Sequence, residues 1–135
     1  MAQIFGDTER IVGEIAEGLF ILVGFKKGDT TQEVDTLASK LLKLRVMADE
    51  GGKMNLSVID SKSQILAVSQ FTLYANTKDG NRPSFIEAEE PEKANELYEY
   101  FVNKLNESGL IIETGIFGEY MKIAAALDGP VTIVL

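Results

Sequence analysis

A mixed α/β domain, with a largely antiparallel sheet and helices packed to one side, is predicted by three features of this sequence. Apolar runs of strand length open and close the chain, two amphipathic segments of helical spacing lie between them, and the elements succeed one another as strands, helix, strands, helix, strands. A length of 135 residues suffices for one domain with a substantial core, and no repeat, low-complexity tract or linker divides it.

The first strands are expected at Arg10 to Ile15 and Leu19 to Phe25, joined by a turn at Glu17-Gly18. The run from Phe20 to Phe25 is too continuously apolar to be half exposed, which predicts a central strand buried on both faces. Gly28-Asp29-Thr30-Thr31 has the chemistry of a turn entering a helix N-cap. The helix that follows carries Val34, Leu37, Ala38, Leu41 and Leu44 on one stripe.

Glu50-Gly51-Gly52 is a turn, and Ile65 to Val68 leads into Ser69-Gln70-Phe71-Thr72-Leu73 as one long strand. Asn76 to Pro83 is polar and loop-like. Pro91 suits the first turn of a second helix with the stripe Ala94, Leu97, Phe101 and Leu105, and Gly109 suits its C-terminal left-handed position. Leu110 to Leu135 returns to strands broken by glycines 115, 118 and 129.

Composition narrows the chemistry. With no Cys and no His, the chain cannot hold a Ser-His-Asp triad, a cysteine nucleophile or a histidine-ligated zinc site. An enzyme of this composition works through hydroxyls, carboxylates, lysines, main-chain donors or a group of its substrate, and no cofactor is expected. A binding module remains the alternative. The lack of cysteine suits a reducing cytosol, and no apolar run approaches the roughly 20 residues that cross a bilayer, so a soluble, cytoplasmic protein is expected.

The net charge of −8, from 21 acidic and 13 basic residues, opposes a nucleic-acid partner unless the bases cluster. Lys53, Lys78 and Arg82 flank the strings discussed next, whereas Glu87, Glu89, Glu90, Glu92, Glu96 and Glu99 lie on and before the second helix. A basic mouth on an acidic body and ordinary solvated charges fit this distribution equally well.

In a strand, Ser69, Phe71 and Leu73 point one way and Gln70 and Thr72 the other, so one face can bury Phe71 while the other presents polar groups. By itself this also describes a core strand whose hydroxyls are satisfied locally. Thr72 has a nucleophile's hydroxyl, but no His is present to activate it, which makes it a positioning residue. Gly129-Pro130 alone reads most simply as a turn ending a strand.

Five strings, in order, resemble those of the D-aminoacyl-tRNA deacylases: Gly52-Lys53-Met54-Asn55-Leu56-Ser57-Val58, Ser69-Gln70-Phe71-Thr72-Leu73, Arg82-Pro83-Ser84-Phe85, Glu113-Thr114-Gly115-Ile116-Phe117-Gly118 and Asp128-Gly129-Pro130-Val131-Thr132. The resemblance spans nearly the whole chain. It implies two β layers and an α layer, assembled as a homodimer. The activity it implies is hydrolysis of the D-aminoacyl ester at the tRNA 3′ end, and of mischarged glycyl-tRNA, with L-aminoacyl-tRNA rejected. The catalytic residues would be Ser69, Gln70, Phe71 and Thr72, with the main-chain N–H around Phe71 holding the oxyanion and the 2′-hydroxyl of the terminal adenosine assisting water.

By the same resemblance, Gly129 and Pro130 bind substrate through a cis peptide that reaches into the partner's pocket and leaves no room for an L side chain. A non-catalytic nucleic-acid-binding relative of the same fold is the alternative. Two departures stand out. Family members begin with an additional strand, whereas Ile11-Val12-Gly13-Glu14-Ile15 comes too early for one, so that strand is expected to be absent; and Leu127 stands where an Asn commonly precedes Asp-Gly-Pro.

Overall fold

Strand β6 (Gln64–Ser69) organises the molecule, because Ile65, Leu66, Ala67 and Val68 are each at most 2% exposed and the strand is therefore covered on both faces. The two-residue period of a strand divides these four between two cores. Ile65 and Ala67 pack with residues of the helices, while Leu66 and Val68 pack with Ala2, Ile4 and Ile15 of a second sheet. The computed structural model describes every residue from Met1 to Leu135.

The inner sheet has the order β3-β6-β7, with β3 at Gly18–Val23 and β7 at Ile112–Thr114, and both of its pairings are parallel. The outer sheet has the order β2-β1-β8, formed antiparallel by β1 (Ala2–Phe5), β2 (Ile11–Ile15) and β8 (Lys122–Ala125). A separate hairpin joins β4 (Met47–Ala48) to β5 (Met54–Leu56). Helices α1 (Thr31–Lys43) and α2 (Pro91–Asn106) supply the crossovers that parallel neighbours require, and their apolar stripes share the core of Ile65 and Ala67. The result is two β layers and one α layer.

The local signals explain the helix ends. Thr30 caps α1 in a reciprocal box with Glu33, and accepting from Thr30 holds the Glu33 carboxyl below its ordinary range. Pro91 opens α2, and Gly109, at φ 81°, follows it. Tyr98 belongs to the buried stripe of α2 although it is polar, because its hydroxyl donates to the Ala67 carbonyl over 2.7 Å.

Three sequence expectations are corrected. The β structure is not one largely antiparallel sheet: the inner sheet is parallel, since each helix connects two of its strands, and the outer sheet is antiparallel. The strand buried on both faces is β6; β3 lies at the edge of the inner sheet, with Leu22 42% exposed. The strands begin at Ala2, and the final segment, Ala126 to Leu135, forms none and is exposed throughout. No helix is long and apolar enough to cross a membrane.

Candidate active site

The string Ser69-Gln70-Phe71-Thr72-Leu73 lies where the inner sheet runs out. Ser69 pairs with Val23 at the end of β3, and the Gln70 N–H donates to the Val23 carbonyl over 2.8 Å. Beyond this point β3 offers no further ladder partner, and the chain turns out of the sheet into a short 3-10 turn, Phe71–Tyr74. Leu73 N–H closes on the Gln70 carbonyl at 3.4 Å and Ala75 N–H on the Thr72 carbonyl at 3.0 Å. Gly24 fits against this bend: a Cβ there would stand 3.0 Å from the Gln70 carbonyl oxygen and 3.3 Å from atoms of Leu73 and Tyr74.

This geometry corrects the long strand expected through Leu73. Phe71 and Leu73 are each 54% exposed rather than buried on one strand face. The first bond of the turn is donated by Leu73, so the N–H groups of Phe71 and Thr72 precede it and have no partner within the turn. Two consecutive main-chain donors at an exposed bend are the kind of group that stabilises a developing oxyanion. Beside them the Gln70 side-chain amide donates to the Thr72 hydroxyl over 2.6 Å. Burial, and secondarily Asp29, pushes the Tyr74 phenol up, so this neighbour stays protonated.

Sequence reasoning gave no site role to two residues that shape the bend. Phe85 meets Phe71 edge to face at a centroid distance of 5.0 Å, forming one wall. Its signal was the string Arg82-Pro83-Ser84-Phe85, which matched the family without suggesting a contact. The other is Gly24, hidden inside an apolar strand. Lys78 and Arg82 lie in the loop between the turn and Phe85, and Lys53 lies in the β4–β5 hairpin, where its main chain is tied to Asp49.

The string Asp128-Gly129-Pro130-Val131-Thr132 is held quite differently. Gly129-Pro130 is a cis peptide. No hydrogen bond ties any residue from Leu127 to Leu135 to the rest of the chain, and all of them are exposed. Val134 and Leu135 line a groove of about 680 Å³ with Gln32, Glu33, Thr36, Leu37 and Lys40 of α1. Neither this groove nor another of about 360 Å³ between the helices contains Ser69, Gln70, Phe71 or Thr72. No hydrogen bond within the chain joins Gly129 or Pro130 to the turn.

The fold and the bend together describe a layered α/β protein that presents two main-chain donors at a strand end and, with no His or Cys, holds no side-chain triad built on either. The chain belongs to the D-Tyr-tRNA(Tyr) deacylase family, whose model matches residues 2–135. These are hydrolases of the aminoacyl-tRNA ester bond. A D-aminoacyl-tRNA deacylase of Aquifex aeolicus is 56% identical over 126 residues, covering 93% of this chain and 85% of the relative. One of Lactobacillus gasseri is 50% identical over 134 residues, covering 99% and 92%. A solved structure described as a c-Myc DNA Unwinding Element Binding Protein superposes with a TM-score of 0.90 at 38% identity, covering 98% of this chain and 89% of that one.

Proposed function

We propose that the protein hydrolyses the ester of D-aminoacyl-tRNA, releasing tRNA and the free D-amino acid, accepts mischarged glycyl-tRNA and rejects L-aminoacyl-tRNA. The observation that carries this reading is the family's Ser69-Gln70-Phe71-Thr72 string lying at a bend with two unpartnered N–H groups. Water attacks the ester carbonyl carbon, and the oxygen that becomes negative accepts from the N–H of Phe71 and Thr72. Collapse of the tetrahedral intermediate expels the ribose 3′-oxygen, which takes up a proton, and leaves the amino acid as its carboxylate.

Ser69 anchors the bend at the strand end, and Gln70 holds Thr72 by its side chain while its main chain fixes the turn. With no histidine in the chain, the adjacent 2′-hydroxyl of the terminal adenosine orients the water. Proximity in a fixed geometry supplies up to ~7–11 kcal/mol of barrier lowering in favourable cases. No cofactor takes part. The free Asp128 to Thr132 segment supports a homodimer in which Gly129 and Pro130 complete the partner's pocket and exclude L side chains by lack of room. The working compartment is the cytoplasm.

A non-catalytic nucleic-acid-binding role is the second reading, favoured by the description of the 38% identical solved structure. Incubation with D-Tyr-tRNA separates the two. Release of D-tyrosine supports the hydrolase; tRNA binding with no release supports the binding module.

A further inference from the structure

The loop that leaves the catalytic bend is closed back onto it. Asn76 and Ser84 exchange both main-chain hydrogen bonds, each at 2.8 Å, and the Asn76 side chain accepts from the Lys78 N–H at 2.9 Å. At its root the loop continues directly from Tyr74, and at its return Phe85 packs on Phe71. Its position relative to the unpartnered N–H groups is therefore fixed at both ends.

Between those ends stand Lys78 and Arg82, and neither takes part in any of the chain's ion pairs. Of the three acids that follow the loop, Glu89 is answered by Lys93 at 3.5 Å and Glu90 by Lys27 at 3.7 Å, while Glu87 forms no ion pair. With Asp79 included, residues 76–84 carry two positive charges against one negative, a net of +1 on a chain of −8. From Asn76 the tip at Gly80 is at most ~14 Å away for an extended chain, within a few nucleotides of the ester.

We infer that this loop is the phosphate-binding lip of the site, with Lys78 and Arg82 contacting phosphodiesters of the strand that ends in the aminoacylated adenosine. The inference rests on the hydrolase reading for the identity of the RNA. An overall acidic protein is repelled by a polyanion, so affinity depends on the place where unanswered bases accumulate. At this loop two unanswered bases, Lys78 and Arg82, are tethered to the chemistry.

The test compares the parent with Lys78→Gln/Arg82→Gln and with a control, Lys43→Gln/Lys62→Gln, which removes two other cations that form no ion pair. Binding of uncharged tRNA is measured across a salt series, and hydrolysis is measured on D-Tyr-tRNA and on D-tyrosyl-adenosine, which has no phosphate. The loop variant should lose about 1.4 to 1.8 from the slope of log affinity against log salt, with kcat/KM on D-Tyr-tRNA falling on the order of 10-fold. Its hydrolysis of D-tyrosyl-adenosine, and both properties of the control, should match the parent. An unchanged salt slope, an equal slope change in the control, or equal loss on both substrates would overturn the inference. A parent that cleaves neither substrate refutes the hydrolase reading instead, while the binding slopes still decide the loop.

Discussion

The Gln70 side-chain amide donates to the Thr72 hydroxyl over 2.6 Å, so the one aliphatic hydroxyl in the turn is engaged by a neutral donor and not by a base. A nucleophilic threonine needs a partner that removes its proton. Gln70 cannot do so. Thr72→Ala should therefore retain hydrolysis within about 10-fold of the parent, whereas tRNA ending in 2′-deoxyadenosine should be cleaved 100-fold or more slowly, the scale of a lost general acid–base contribution. Single-turnover rates on the two substrates check this; complete loss in Thr72→Ala with the deoxy substrate unaffected would make Thr72 the nucleophile.

Gly24 supports the same bend from behind. An added methyl would lie 3.0 Å from the Gln70 carbonyl oxygen, which forces a shift of a few tenths of an ångström in the segment that presents the N–H groups. Gly24→Ala should lower kcat by up to about 10-fold and leave KM within twofold, because misplacement of donors is felt in the transition state. A lower melting temperature with kcat unchanged would make Gly24 a packing residue only.

Tyr98 joins the helical layer to β6 through Ala67, and burial pushes its phenol up to about 12. A folded-state value above the unfolded one near 10 means that this contribution is intact below pH 10 and is lost as pH rises through about 12. The loss amounts to roughly 2–3 kcal/mol. Urea unfolding between pH 8 and pH 12 should show that decline, and Tyr98→Phe, costing about 1–2 kcal/mol at neutral pH, should flatten it. An identical alkaline decline in Tyr98→Phe would assign it to other groups.

Much of this architecture was legible in residue order. The capping pattern at Thr30 and Glu33, Pro91 at a helix start and the stripes of Val34, Ala38, Leu41 and of Ala94, Leu97, Phe101 gave both helices their place, because these signals are local. Strand partners are non-local. An apolar run such as Phe20 to Phe25 cannot reveal whether its second face meets a sheet or an edge, and Tyr98 became a core residue only through a carbonyl 31 positions away. The string Ser69 to Leu73 starts at the end of a buried strand, as its sequence predicts, but does not continue as one. Alternation carried it on as a strand, and only the end of β3 at Val23 shows why the chain turns at Gln70.

The segment from Leu127 to Thr132, which makes no hydrogen bond to the rest of the chain, bears on assembly. If Gly129 and Pro130 work in the partner's site, sedimentation at assay concentration should give a dimer, and activity should fall on dilution below its dissociation constant. A strictly monomeric protein that still distinguishes D from L substrates would contradict the shared site.

The central claim is chirally selective ester hydrolysis without a side-chain base. Its most direct measurement is the deacylation of D-Tyr-tRNA, L-Tyr-tRNA and glycyl-tRNA by the same preparation under the same conditions. The account predicts rapid release from the D and glycyl substrates and release from L-Tyr-tRNA at the uncatalysed rate. Equal cleavage of D- and L-Tyr-tRNA, or cleavage of neither, would contradict it.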